Sequence, residues 1–528
     1  MNCDSQSNLY PPQDFANSVL AALRASGAPA ELIETHISWI FLTEKLAYKI
    51  KKPVKNDFLD FSTLALRKFF CEEELRLDRR FAADIYLDVV PVTCEQESLE
   101  FGGAGQPCEY AVKMRRFPTE DLLGQRVKTL RIASAELERF AQALADFHQV
   151  AAHAPEKSSF GNAEQIRQEA YDNVSALDGY LTAERMARLR SWTEQTWQSL
   201  DELFRHRQQN GFIRECHGDL HADNIVRWQG RFIPFDGIEF NPQFRWIDCL
   251  SDAAFLAMDL LALGRSDLSC IFVNSYLEAS GDYAGIGLLR WYMVYRALVR
   301  AKVSRLAMDQ HTADTAEFAA ARGELERHLE LAEALSTRTH TQHAGIEDAA
   351  TIPPLTRSNP NGLWITHGLS GSGKSTIALR LVEQLGAVRL RSDVERKRLW
   401  GKPADFRADA QQRQRLYSAE MNQQTYQRLR ELSEPILAAG YPVVVDAAFL
   451  KREQRDLFRQ LAHQSKMPFG IIDCQTDRVT QQQRLTTRQA AGSDASDADE
   501  RVLQEQMATQ DTLAADEQKW VVLSEDIS

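Results

Sequence analysis

The stretch Gly368-Leu369-Ser370-Gly371-Ser372-Gly373-Lys374-Ser375 constrains the fold of this 528-residue chain more than any other feature. An apolar strand pattern at 363–367 precedes it, and a helical pattern at 375–385 follows. A strand that enters a glycine turn and leaves as a helix must find its next strand in parallel, by a right-handed crossover. The sequence then supplies a strand at 388–391, a long helical stretch to residue 439, and strands at 442–445 and 469–473. That alternation predicts an α/β domain with a parallel sheet. Glycines let backbone N–H groups close on phosphate oxygens without a Cβ clash, and the following helix aims its positive end at the same charge. The spacing G-x-x-x-x-G-K-S therefore predicts an ATP phosphate site built from Gly368, Ser370, Gly371, Ser372, Gly373, Lys374, Ser375 and Thr376. In it Lys374 reaches the β and γ phosphates and Ser375 ligates Mg²⁺.

Other residues of this half complete a phosphoryl-transfer pattern. Val443-Val444-Val445-Asp446 is an apolar strand ending in the carboxylate expected to hold Mg²⁺ or its water. Asp393, at the C-terminal end of the second strand, faces the ligand crevice of a parallel sheet. There it would take the proton of a substrate hydroxyl, with Arg396 one helical turn on to bind an anionic group; a helix N-cap is the alternative for Asp393. Arg484 and Arg488 lie four apart on a helical pattern before a polar stretch at 492–499. This is the layout of a lid that brings arginines to the transferring phosphoryl group, with exposed helix arginines as the plain alternative. Together these residues resemble the small P-loop kinases. Asp393-x-x-Arg396 and Val445-Asp446-Ala447 are similar to segments of polynucleotide 5′-kinases and zeta-toxin-like kinases. The resemblance implies phosphoryl transfer to a small molecule or a single-stranded nucleic-acid 5′ end.

Upstream, a His-, Thr-, Pro-, Asn- and Gly-rich break reads as a linker at 341–361. It separates residues 1–340 from a P-loop domain at 362–528. The first half opens with a helix at 15–26, a hairpin at 37–42 and 46–50, a charged helix at 64–81, and strands at 86–92 and 109–114. Mostly helical patterns follow. This order predicts a two-lobed α+β domain, its small lobe at about 30–117 and its large lobe at about 118–340.

His217-Gly218-Asp219-Leu220-His221-Ala222-Asp223-Asn224 contains H-x-D-x-x-x-x-N, and the strand at 231–235 then ends in Asp236. The constellation resembles the core of aminoglycoside phosphotransferases and, more distantly, of protein kinases. The resemblance implies that Asp219 orients or deprotonates an acceptor hydroxyl and that Asn224 and Asp236 hold Mg²⁺ on ATP. His217 would organise the loop. Leu46-Ala47-Tyr48-Lys49-Ile50 resembles the strand that supplies the phosphate-binding lysine, Lys49. Its ion-pair partner on the next helix is Glu74, with Glu73 as the alternative, and the adenine hinge falls at Met114. Lys51 and Lys52 read as surface charges. Asp248 and Asp252 would brace the catalytic loop. The turn Thr43-Glu44-Lys45 lacks the glycines that cover the phosphates in protein kinases.

The whole chain resembles the bacterial bifunctional aminoglycoside phosphotransferase/ATP-binding proteins: a protein-kinase-like α+β domain followed by a P-loop domain. The expected function is a two-site, ATP- and Mg²⁺-dependent phosphotransferase acting on hydroxyl-bearing small molecules. The alternative makes the first domain a ligand-sensing, near-inactive kinase that regulates a P-loop kinase or ATPase. Charge bears on partners. Residues 361–528 carry 23 basic and 23 acidic residues, so the whole net charge of −12 lies before them. Binding to duplex DNA by bulk electrostatics is thereby disfavoured. The 8 cysteines are scattered singly, without metal-ligand spacing, and no long apolar run appears, so a cytoplasmic protein with no membrane partner is expected. Oligomeric state is left open.

Overall fold

The computed structural model describes residues 12–25, 29–56, 58–95, 98–337, 361–491 and 500–523. It divides into two compact units: Met1–Phe140, Val150–Ile166 and Phe204–Asp259 in one, Ala141–Gln149, Arg167–Leu203 and Leu260–Ser528 in the other. The division does not fall at the break near residue 340. Most of the linker lies outside the described residues.

The first unit is built on a six-stranded sheet in the order Glu31–Glu34, Ser38–Leu42, Leu46–Lys51, Pro107–Arg115, Tyr86–Glu95, Ser98–Phe101, with every pair antiparallel. Period-2 alternation gives the sheet two apolar faces. Trp39, Phe41 and Ile50 pack with Ala16 and Val19 of helix Pro12–Ala25. Ala47, Val112 and Met114 pack with Cys71 and Ala82 of helix Leu64–Ala82. Thr63 starts that second helix, its side chain accepting from the Leu66 N–H, which satisfies one of the four orphan amides of a helix start. Two small antiparallel pairs, Ile225–Trp228 with Arg231–Pro234 and Trp246–Asp248 with Ile213–Glu215, frame the H-x-D-x-x-x-x-N segment.

The second unit holds a five-stranded parallel sheet in the order Val388–Arg391, Val443–Asp446, Leu363–His367, Phe469–Asp473, Val521–Leu523. Helix Lys374–Leu385 covers it through Ile377, Ala378, Leu381 and Val382, which are buried against Trp364, Val444 and Ile472. The long helical stretch of the sequence reading is three helices, Ser392–Leu399, Ala410–Leu416 and Ala419–Ala438. Helices of the first half also belong to this unit. Asn274, on Ser266–Ser280, donates to Ala387 O at 3.0 Å and accepts from the Arg389 N–H at 2.7 Å. Its amide thus acts like a neighbouring strand along the open side of Val388–Arg391, an edge that would otherwise present unpaired groups. Glu278, one turn later, pairs with Arg391 at 3.1 Å and Arg389 at 3.6 Å. Among the described residues no helix is long and apolar enough to cross a membrane.

Candidate active sites

In the first unit the reactive groups come from four elements. Lys49 lies on the central strand, and its Nζ is 3.0 Å from Glu74 Oε1 on helix Leu64–Ala82 and in contact with Asp236 Oδ1. Glu73 instead pairs with Arg76 at 2.7 Å and Arg245 at 2.9 Å. Burial alone would raise the Glu74 carboxyl, but Lys49 and Lys51 reverse that and hold it down at about 2. Burial works against the Lys49 ammonium, yet Asp236, Glu74 and Glu239 keep its pKa well above the usual lysine range. Both members of the pair are therefore charged at neutral pH.

Asp219 follows a glycine that cannot be replaced without strain. Gly218 has φ +90°, and a Cβ there would sit 2.6 Å from Phe244 O. Asn224 Nδ2 donates to Asp219 O at 3.0 Å and Oδ2 at 3.1 Å, which leaves its Oδ1 as the amide atom available to a cation. His217 is buried; its Nε2 lies 2.9 Å from Phe235 O, while its Nδ1 accepts the Asp219 N–H at 3.3 Å. Burial lowers its pKa despite the nearby Asp252 and Asp219 carboxylates, so the ring is neutral and organises the loop. Beneath it, Asp252 accepts from the N–H groups of His217 at 3.1 Å and Gly218 at 2.9 Å. Asp248, read from sequence as a second brace, is engaged elsewhere: it makes a buried fork with Arg207 at 2.6 and 2.7 Å.

Lys51 is a clear correction. It is 0% exposed, with Nζ 2.7 Å from Glu74 Oε2 and in contact with Glu239 Oε1. Strand alternation explains this, because Lys49 and Lys51 are two residues apart and share the face turned to helix Leu64–Ala82. Lys52 lies on the opposite parity and bonds Glu34 at 2.6 Å. Met114 is the penultimate residue of its strand, with its side chain in the lobe core. The Asp236 backbone has φ +62°, a left-handed conformation that disfavours any residue with a Cβ. Two anchors hold it there: the Asp236 N–H donates to Tyr86 Oη at 3.0 Å, and the Gly237 N–H to Asp78 Oδ1 at 2.9 Å.

In the second unit a cavity of about 690 Å³ is lined by Ser370, Gly371, Gly373, Lys374, Ser375, Thr376, Asp393, Arg396, Asp446 and Arg484 among others. Gly371 and Gly373 have φ +83° and +96°, and a Cβ on Gly371 would lie 2.9 Å from Gln481 O; the loop needs glycine at both. Lys374 Nζ contacts the carbonyls of Gly368 at 3.0 Å and Leu369 at 2.7 Å. Asp446 is buried, and its Oδ2 has no hydrogen-bond partner in the protein. A bare, buried carboxylate oxygen and a serine hydroxyl that line one cavity make an all-oxygen donor set that fits Mg²⁺.

Asp393 Oδ1 accepts from Arg396 Nη1 at 2.7 Å, and the guanidinium lies over the Tyr417 ring at 4.8 Å and donates to Asn422 at 2.9 Å. Asp393 is not the helix N-cap, since Arg391 occupies that position. Arg484 reaches Gly371 O at 3.3 Å. The side chain of Arg488 lies outside the described residues. Sequence reasoning missed Gln506, whose Oε1 accepts the Ser370 N–H at 2.9 Å. It also missed Thr366, whose hydroxyl fixes the turn after Asp446 by donating to Ala447 O at 2.7 Å and accepting its N–H at 3.1 Å.

Comparison with known proteins matches a family model in each half of the chain. Residues 70–240 fit the model of the phosphotransferase enzyme family, and residues 363–513 that of the AAA domain. An uncharacterized protein of Mycobacterium tuberculosis is 30% identical over 473 residues, 88% of this chain and 87% of the relative. The chain belongs to this two-domain phosphotransferase family. It is an ATP-dependent phosphotransferase of the class that acts on alcohol groups. Solved structures similar to parts of it include a choline/ethanolamine kinase family protein from Mesorhizobium loti. That protein is 14% identical, with 61% of this chain and 99% of that chain covered and a TM-score of 0.36. A gluconokinase from Sinorhizobium meliloti is 21% identical, covering 31% of this chain and 82% of its own, with a TM-score of 0.23.

Within this phosphotransferase, the residues that sequence reading overlooked are mostly buried supports. Asp259 accepts the Ala222 N–H at 2.8 Å, and Asp78, Tyr86, Lys51 and Glu239 surround the Lys49–Asp236 pair. Asp259 carries a signal: it is the second of two acids in an otherwise apolar helix, two turns after Asp252.

Proposed function

We propose that the chain is a phosphotransferase with two separate sites, each using ATP and Mg²⁺ to phosphorylate a hydroxyl of a small molecule. The single observation that supports this most is that each half assembles its own set: Lys49, Glu74, Asp219, Asn224 and Asp236 in one, Lys374, Ser375, Asp393 and Asp446 in the other. In the first site Lys49 holds nucleotide phosphate oxygens, and Glu74 aims its ammonium. Asp219 accepts the hydrogen bond of the incoming hydroxyl and orients its oxygen toward the γ-phosphorus; Asn224 and Asp236 would hold the metal. In the second site the glycine-loop amides and Lys374 bind phosphates, Ser375 and Asp446 would hold the metal, and Asp393 receives the hydroxyl proton. Arg396, already tied to Asp393, holds that carboxylate in place and faces the acceptor side. Arg484 adds positive charge where the γ-phosphoryl group leaves. Bound Mg²⁺ neutralises the charge that develops on the phosphate oxygens.

One feature favours a second reading for the first site, a nucleotide sensor. The turn between Ser38–Leu42 and Leu46–Lys51 is tight: the Thr43 N–H donates to Leu46 O at 2.8 Å and the Thr43 hydroxyl accepts the Leu46 N–H at 3.2 Å, so no long loop lies there to cover phosphates. Calorimetric titration with ATP and Mg²⁺ tests the two-site reading. It predicts two binding events in the full chain, one lost in Lys49→Ala and the other in Lys374→Ala. A single event, removed by Lys374→Ala and untouched by Lys49→Ala, would overturn it.

A further inference from the structure

Lys51 has no place in the chemistry just described, yet it is among the most completely buried side chains of the first unit. An ammonium is excluded from water at high cost unless it is paired and hydrogen-bonded. This one is compensated on three sides. Its Nζ lies 2.7 Å from Glu74 Oε2, touches Glu239 Oε1, and sits 5.0 Å from the centre of the Phe61 ring. Glu74 is thereby held at both oxygens, Oε1 by Lys49 at 3.0 Å and Oε2 by Lys51 at 2.7 Å. A carboxylate gripped at both oxygens cannot rotate about its terminal bond without breaking one ion pair.

The consequence concerns the moment when phosphate arrives. Lys49 must then share its ammonium with phosphate oxygens, and its hold on Glu74 weakens. A carboxylate with Lys49 as its only cation would follow that ammonium or take up a proton. Lys51 prevents both, because it stays behind and keeps its own oxygen. The same lysine reaches Glu239, three residues beyond Asp236. The intervening backbone is pinned by the Gly237 N–H bond to Asp78 and by Arg245, which donates to Glu239 O at 3.1 Å. One buried cation therefore joins the helix that aims Lys49 to the segment that carries Asp236.

We propose that Lys51 is a positioning residue of the first nucleotide site: bridging Glu74 and Glu239, it fixes Lys49 and Asp236 relative to each other without touching the nucleotide. The inference rests on the reading that this site binds ATP with Mg²⁺. Its test uses the full chain in a Lys374→Ala background, so that the first site is the one that reports. The probe is ATP with Mg²⁺, measured by calorimetry alongside the thermal unfolding temperature.

Lys51→Met alone strands two buried carboxylates and endangers the fold, so the decisive variant is Lys51→Met with Glu239→Gln, compared with Glu239→Gln alone. The double variant should unfold several degrees below Glu239→Gln, since Glu74 Oε2 loses its partner, but remain folded at the assay temperature and bind ATP about tenfold more weakly, the scale set by losing a supporting hydrogen-bond partner. If the two variants bind ATP equally, Lys51 is merely a structural counter-charge and the proposal is overturned. Lys49→Ala in the same background separates the two levels. Binding lost there but equal in the other two variants sinks only the role of Lys51. Binding undiminished in Lys49→Ala sinks the nucleotide site itself, and the role of Lys51 with it.

Discussion

Asp252→Asn is the most informative single substitution in the first site, because it changes one atom beneath the catalytic loop. Asp252 is fully buried, and its two oxygens accept the N–H groups of His217 at 3.1 Å and Gly218 at 2.9 Å, immediately before Asp219. A carboxylate can accept at both positions. An amide can accept at one and must turn its NH₂ toward the other N–H. Each bond to a charged acceptor is worth about 1.5–3 kcal/mol, so the exchange removes one such bond and sets two donors face to face, a loss of about 2–4 kcal/mol. For a unit of this size that is a fall of roughly 5–15 °C in unfolding temperature. Asp219 would be displaced with its loop, and turnover at the first site should drop by about 10². Asp219→Ala supplies the contrast: it should lose turnover while unfolding near the wild-type temperature. Calorimetric unfolding and labelled-ATP turnover on the same preparations read both quantities. An Asp252→Asn protein with wild-type unfolding temperature and turnover would refute the bracing argument.

Three more outcomes are expected. His217 has its pKa lowered by burial, so the unfolded chain takes up its proton first as pH falls. Its contribution to stability is full above the ordinary imidazole value of about 6.5 and is lost as pH drops below it; urea midpoints between about pH 7.5 and 5.5 should fall more steeply in wild type than in His217→Gln. Asn274→Ala leaves the Arg389 N–H and the Ala387 carbonyl without their partner, at about 1–3 kcal/mol each. Hydrogen exchange at Arg389 should accelerate in step, and unchanged protection would contradict the edge-strand role. Asp446 Oδ2 has no protein partner to lose, so Asp446→Asn should leave the unfolding temperature near wild type while raising the Mg²⁺ concentration needed for nucleotide binding by about tenfold or more.

The two halves were unequally legible in the sequence. The P-loop half announces itself because its motif needs particular residue types at contiguous positions, and because buried parallel strands such as Val443–Asp446 are nearly continuous apolar runs. Its last strand, Val521–Leu523, is a three-residue edge element with little periodicity to detect. In the first half Lys49 is legible through the resemblance of its strand to the lysine-bearing strand of phosphotransferases, and Glu74 through the apolar Leu77 and Phe81 three and seven positions on. Lys51 obeys the same parity as Lys49 but reads as a surface charge in the sequence, because a lysine declares burial only when its partners are known, and Glu239 lies 188 residues away. Asp78, Tyr86 and Asp259 bind backbone amides of distant loops, contacts that no local pattern encodes. The attachment of Ser266–Ser280 to the P-loop sheet rests on Asn274 and Glu278 meeting residues more than a hundred positions on. The break near residue 340 therefore marks a change of composition, whereas the compact units follow packing.

The central claim is that two independent sites transfer phosphoryl groups. Incubating wild type, Asp219→Ala and Lys374→Ala with γ-labelled ATP, Mg²⁺ and a pooled small-metabolite extract tests it directly. Label should pass from ATP to two separable sets of acceptor molecules, one missing in each variant. Label released only as free phosphate, lost in Lys374→Ala and unaffected in Asp219→Ala, would contradict the account and leave the first site as a sensor beside a P-loop ATPase.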